Sequence, residues 1–397
     1  MPWKAQRIMG LKLEFIEAAI LPGASMAALC RQFGISRQTG YKWLHRYRDQ
    51  GFVGLEEQSR RPRTTSTLPE TFVQEVLRLR TKHPAWGART IVGILARTHG
   101  AATPSVATVA RLLRRLGRVK RRQARVRVWS VDARPQIEVH ACNDLWTIDF
   151  KGWWLAGNGQ RCEPLTVRDA HSRFVLATTL VAHTSGAVVR RVLTRLFRRY
   201  GVPRAILADN GTPWVCMRSR GGLTQLSAWL VSLGISFHRT RVGCPQDNGG
   251  HERMHGSMAE LEAAPSLNRR GEQRRSDRWR LEFNEVRPHQ ALGGKTPAEV
   301  YRVTERRVMH ERQPVYAPEW ATRRVRADGK VSFQGDAAFI GMALTNRLIG
   351  LKYEAGLRWR AYFFQVDLGL IEFAVTTGVM LMSPSTGPDL SPDLRPG

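Results

Sequence analysis

Acidic residues are the scarce class here. Thirty-three Asp and Glu stand against 62 Lys and Arg, for a formal charge of +29 and a pI near 11.2. An excess of that size asks for a polyanionic partner, with nucleic acid first. A ribosomal or chromatin-coating protein would share the charge, but it would rarely carry 12 Trp residues or aspartates set in strand patterns. Cysteine is sparse too: Cys30, Cys142, Cys162, Cys216 and Cys244 are scattered without a C-x-x-C pair. That argues against a zinc finger or a disulfide framework and fits a reducing compartment. No signal peptide is expected at the start, and no apolar run reaches the length of a membrane span.

What is present is organised around Gly243 to Met258, GCPQDNGGHERMHGSM. Pro lacks a donor and Gly is permissive, so Pro245 to Gly250 reads as a mobile loop. From His251 onward the residues suit a helix whose first turn favours the acid Glu252. A carboxylate held behind such a loop makes sense if it meets two others across a metal site. Asp149 lies in the apolar strand pattern LWTIDFKG, where an unpaired carboxylate is costly. Asp209 follows the apolar run Ala205 to Ala208 and precedes the turn Asn210-Gly211. Asp247 is the rival for the third acid, and Asp169 reads as structural.

Four segments, WTIDFKG, LADNGTPW, PQDNGGHERMH and FNEVRPHQALGGKTPAEVY, occur in that order. Together they resemble the DDE catalytic core of insertion-sequence transposases and retroviral-type integrases, a likeness running from about residue 25 to 380. The His/Cys zinc module of retroviral integrases has no counterpart in the N-terminal sequence. The 42 residues between Asp209 and Glu252 exceed the family's shortest form, and the excess falls at Cys216 to Leu223, which suits a surface loop.

The length suggests roughly two to four domains, and the expected fold is multidomain α/β. Residues 1–63 read as a helix-turn-helix domain: an apolar helical pattern at Met26 to Phe33, a stop at Gly34, and Ser36 capping a second helix. That helix would offer Arg37, Gln38, Thr39, Tyr41 and Lys42 to a major groove, with Trp43 and Leu44 inward. The bland alternative is a helical bundle with a solvated basic face. Residues 64–127 repeat the design and end in a basic run. Arg89, in the turn H-P-A-W-G-A-R, and Arg121 and Arg122, in the run, are candidate DNA contacts, whereas Trp86 reads as core.

Residues 128–305 should form an RNase H-like mixed-sheet catalytic core, with a first strand at 145–150, a hairpin over 164–180, a helix over 185–200 and a buried strand at 205–208. Arg287-Pro288-His289 reads as structural. Residues 306–382 suggest a small SH3-like β-barrel, and 383–397 a disordered tail.

The resemblance implies that Asp149, Asp209 and Glu252 hold two Mg²⁺ ions, with Mn²⁺ able to substitute. Asp149 would bridge both, and Asp209 and Glu252 would each hold one. Lys151 would contact DNA, Asn210 and Asn248 would orient metal-bound water or DNA, and His251 and His255 would contact phosphate or else pack. The implied function is a DNA transposase that binds terminal inverted repeats, cleaves 3′ ends and joins them to target DNA. Its partner is double-stranded DNA, it acts as a homo-oligomer without any membrane, and its location is cytoplasmic and nucleoid-associated, of bacterial type. The alternatives are a catalytically silent regulator and a stand-alone RNase H-like nuclease.

Overall fold

Serine caps set out the N-terminal helices. In a computed structural model, which describes residues 2–57, 68–119, 137–241, 244–306 and 310–373, α1 spans Pro2–Ala19, α2 Met26–Gln32 and α3 Arg37–Gln50. Ser25 accepts from the Ala28 N–H and Ser36 from the Thr39 N–H, each satisfying an orphan donor of the first turn. Gly40 lets the three helices close: a Cβ there would lie 2.6 Å from Cys30 Sγ and 2.9 Å from Phe15 Cζ. Phe15, Ile16, Cys30, Trp43, Leu44 and Leu55 form the core of this unit, which ends at Leu68. The linker 58–67, Arg121 and Arg122, and the tail 383–397 lie outside the described residues.

The second unit, from Pro69 onward, opens with α4 (Glu70–Lys82), α5 (Ala88–His99) and α6 (Val106–Arg115), the last capped by Ser105. These helices are fastened to the sheet-bearing core that follows. A Cβ on Gly93 of α5 would sit 2.8 Å from Pro288 Cγ. Lys82 pairs with Glu282 at 2.7 Å and Arg97 with Glu299 at 2.6 Å. Pro288 of the Arg287-Pro288-His289 triplet is therefore a docking point.

Strands β1 (Leu145–Phe150), β2 (Trp154–Leu155), β3 (Arg161–Asp169) and β4 (Val175–Val181) precede α7 (Gly186–Tyr200), β5 (Ala205–Ala208), α8 (Gln225–Ser232) and β6 (Ser236–Arg239). β4, β3 and β1 pair antiparallel, and β1, β5 and β6 run parallel, a mixed sheet. Asp169 is structural, as its sequence context suggests. Its carboxylate accepts from the N–H groups of Asn143 and Ser172 and from the Ser172 hydroxyl, and the Asn143 side chain accepts from Trp146 Nε1 and the Tyr301 hydroxyl.

Helices α9 (Gly249–Ser257), α10 (Ala259–Ala263), α11 (Arg269–Leu281) and α12 (Pro297–Val300) follow. Two expectations change here. Pro245–Asn248 forms a 3-10 turn, and α9 begins at Gly249 rather than His251 and breaks at Met258. Gly250 belongs in the helix because its missing Cβ admits Arg168, whose Nη1 would lie 2.6 Å from such an atom.

The C-terminal strands are β7 (Ala321–Arg324), β8 (Lys330–Phe333), β9 (Asp336–Phe339), β10 (Leu348–Ala355), β11 (Arg358–Phe363) and β12 (Val366–Glu372). Among the described residues they form a four-stranded sheet, β12-β11-β10-β7, and a separate β8-β9 hairpin, not the closed barrel expected. Closure is replaced by packing on α8. Leu226, Trp229 and Leu230 of that helix enter the central core, while Ala228 and Val231 enter the C-terminal one. The segment expected as a surface loop is instead a strut: Arg220 donates to the carbonyls of Phe339 (2.9 Å) and Leu370 (2.8 Å).

Candidate active site

Alternation along β1 puts Thr147 and Asp149 on one sheet face, and the register sets Thr166 of β3 opposite Asp149. Helix α9 lies over this face and carries His251 and His255 one turn apart. The Thr166 hydroxyl donates to the Asp149 carbonyl at 2.9 Å, so it can only accept from His251 Nε2 (2.6 Å) and His255 Nε2 (2.8 Å). His251 Nδ1 then accepts from the Thr147 hydroxyl at 2.8 Å. The network thus assigns both rings their tautomers. It also pins α9 to two strands and fixes where Glu252 projects.

Asp149 feels the result. Burial first, then the charge of Asp209, with a smaller share from Glu252, pushes its carboxyl up to about 7. Asp209, at the end of β5, is exposed and accepts from the Gly211 N–H at 3.2 Å. Glu252 is exposed on the first turn of α9. The three acids from β1, β5 and α9 therefore share one field. Among the described residues no three His, Cys, Asp or Glu side chains converge into a closed metal cluster. Asp247, the rival acid, is held by Arg241 at 2.9 Å with its side chain 4% exposed.

The remaining residues fall into three groups. Arg37, Gln38, Tyr41 and Lys42 are exposed on α3, and Thr39 is half-buried beside the Ser36 cap, its hydroxyl 2.9 Å from that of Ser36. Arg89 is exposed and donates to Gln290. Several expected DNA contacts are instead enclosed. His251 is fully buried, so a phosphate contact is closed to it and its role is to hold α9. Burial also pushes its imidazole well below the ordinary histidine range. His255 sits 3.9 Å from Asp149 and is pushed down to about 4 by burial and then by the Lys151 charge, so it is neutral near pH 7. Lys151 is half-buried in an ion pair with Glu262, and Asn248 is buried before α9. The Asn210 side chain donates to the Thr240 carbonyl. Sequence reasoning passed over Thr147 and Thr166; the available signal was a threonine two residues before Asp149 on the same face, beside a His-x-x-x-His turn.

A helix-turn-helix domain family matches residues 11–63 and a homeodomain-like domain family residues 39–113. Two families, each described as an integrase core domain, match residues 139–245 and 233–297. The chain is 27% identical over 204 residues to an uncharacterized 31.7 kDa protein of insertion element IS407 from Burkholderia multivorans. It is 31% identical over 159 residues to an uncharacterized 39.2 kDa protein of insertion element IS476 from Xanthomonas euvesicatoria. The integrase-core and helix-turn-helix matches, with the insertion-element relatives, support an insertion-sequence transposase with a retroviral-integrase-like core. The first match covers 48% of this chain and 67% of that relative; the second covers 40% of this chain and 44% of the other, under half its length. A solved HTLV-2 integrase catalytic core domain in complex with magnesium is similar at 15% identity and a TM-score of 0.32. That likeness covers 41% of this chain and 98% of that one, and is too distant to fix any detail. No described helix is long and apolar enough to cross a membrane.

Proposed function

We propose that the chain is a DDE transposase that binds the terminal inverted repeats of its element, cleaves their 3′ ends and transfers them to target DNA, acting as a homo-oligomer that holds two ends. The observation that carries this reading is the gathering of Asp149, Asp209 and Glu252 into a field that raises Asp149 to about 7. Like charges brought together at that cost fit a place where a cation offsets them. The donors are all carboxylate oxygens, which suits hard cations that keep several waters. As the family resemblance implies, Asp149 would be the shared ligand, and Asp209 and Glu252 would each hold one ion. Two Mg²⁺ ions, or Mn²⁺ in their place, would supply activation of the attacking oxygen and stabilisation of the leaving one.

The chain's own residues prepare the site. The Thr147–His251–Thr166 chain fixes α9, and with it the backbone position of Glu252. Neutral His255 places no positive charge against Asp149, which leaves that carboxylate free for another partner. The helix-turn-helix units would read the repeats. A second reading, a silent DNA-binding regulator, is favoured by the acids' failure to close into a metal cluster among the described residues.

Labelled element ends incubated with Mg²⁺ or Mn²⁺ decide between these. Joining by wild type, lost in Asp149→Asn and Glu252→Gln while end binding persists, is the expected outcome. End binding without cleavage would leave the regulator. Cleavage without joining would favour a nuclease.

A further inference from the structure

β4 forms the outer edge of the central sheet, flanked by α7 and α11. Two cavities of about 280 and 390 Å³ lie between these helices and share Thr179, Val192 and Arg195, so they form one trough. Arg191, Arg195 and Arg199 line it from α7 at four-residue spacing, and Arg269 and Arg280 from α11. Arg280 has Asp277 at 4.0 Å, the trough's one acid; the other four arginines have no carboxylate partner among the described residues. Outward of the trough, Arg270, Arg274 and Arg278 repeat the four-residue spacing and are exposed.

Five guanidinium groups against one carboxylate is a poor lining for a small apolar ligand or for a second copy of the same face, since two such faces repel. A phosphate backbone is the complementary partner. Arg191 to Arg199 spans about 12 Å of helix, and a duplex presents about seven phosphate charges over that length. The location is separate from the acids yet in register with them. Asp149 pairs with Thr166 and Thr166 with Thr178, which lies in the trough floor, so two strand spacings, about 10 Å, divide the two places.

We propose that this trough is a second duplex-binding site, holding the sugar-phosphate backbone of a DNA segment other than the one at the acids and reading no sequence. The inference rests on the chain acting on DNA, but not on which acids are catalytic. The test uses the full chain and a 40-bp duplex lacking terminal repeats, with Arg191→Gln, Arg195→Gln and Arg199→Gln combined. Helical Gln keeps the fold, which far-ultraviolet circular dichroism checks. Each lost phosphate contact lowers the slope of log affinity against log salt by about 0.9, so three lower it by about 2.7. Between 50 and 200 mM salt, wild type should then lose roughly 40-fold more affinity than the variant.

Terminal-repeat recognition, measured as preference over the same duplex, should persist. An unchanged slope overturns the proposal. So does an unchanged slope with a shifted oligomeric state, which would make the trough a contact between copies. Wild-type joining that Asp149→Asn abolishes, together with an unchanged slope, would remove the trough and leave the transposase reading standing.

Discussion

Replacing Asp149 by Asn should make the metal-free protein more stable, because the fold holds this carboxyl at about 7 against an ordinary 3.8. For an acid, a raised value means that ionisation costs more folded than unfolded. The cost is absent below about 3.8, grows as pH rises, and is complete above about 7. A rise of about three units is at most about 4 kcal/mol. The side chain keeps 23% exposure, so solvent screening leaves about 2 kcal/mol. Asn is close to isosteric and carries no charge. At pH 8 with chelator its thermal midpoint should therefore exceed the wild type's by about 3 °C. The gap should shrink by at least half at pH 5. Mg²⁺ should raise the wild-type midpoint and leave the variant nearly unmoved. An Asn variant that melts at or below wild type at pH 8 would refute the claim that the fold gathers these acids against their own repulsion.

Three further outcomes are expected. Gly93→Ala should destabilise by about 1–2 kcal/mol, since the gain in helix propensity is outweighed by overpacking on Pro288. Adding Pro288→Ala should recover most of that, and additive losses in urea unfolding would deny the contact. His251→Leu leaves the Thr147 and Thr166 hydroxyls short of a partner and should cost about 1–3 kcal/mol in urea unfolding, with end joining falling more than end binding; unaltered joining would deny it a positioning role. Burial, then the charges of Arg287, Arg173 and Arg168, hold His289 at about 3. Its stability contribution is thus present above about 6.5 and lost as pH falls toward 3, by about 1.4 kcal/mol per pH unit. His289→Leu should flatten that limb by this amount between pH 6 and 4, and an equal slope would count against the burial.

Local chemistry was legible in the sequence where it is also local in the fold. Ser36, Ser105 and Ser185 cap the helices they precede, and β1 and β5 span Leu145–Phe150 and Ala205–Ala208 as the apolar runs indicate. Asp149 could be singled out because an Asp in an apolar strand is conspicuous, whereas Asp209 and Glu252 stood out only through their place after a buried strand and their flanking motif. What escaped is decided across distance. Gly250 looked like loop because nothing nearby announces that Arg168, far back in β3, fills the space a side chain would take. His251 stayed open between phosphate contact and packing because its burial depends on Thr147 and Thr166. The C-terminal strands looked like a barrel because their number and spacing fit one, while the surface that completes their core is supplied by α8. The run LSAWLVS did carry a hint, being apolar on all sides, as a helix covered on two faces must be.

That doubly covered helix has a consequence for the modularity of the protein. An appended domain with its own core can be lost, swapped or grafted, and its host keeps folding. Here Ala228 and Val231 are as much a part of the C-terminal sheet's interior as Ile349 or Leu368, and Arg220 ties its rim to the same segment. Cutting the chain before β7 would strip one side of α8 and leave an apolar stripe in water at the back of the catalytic sheet. The C-terminal strands thus complete the fold that bears the acids, and the two share one cooperative unfolding transition rather than two.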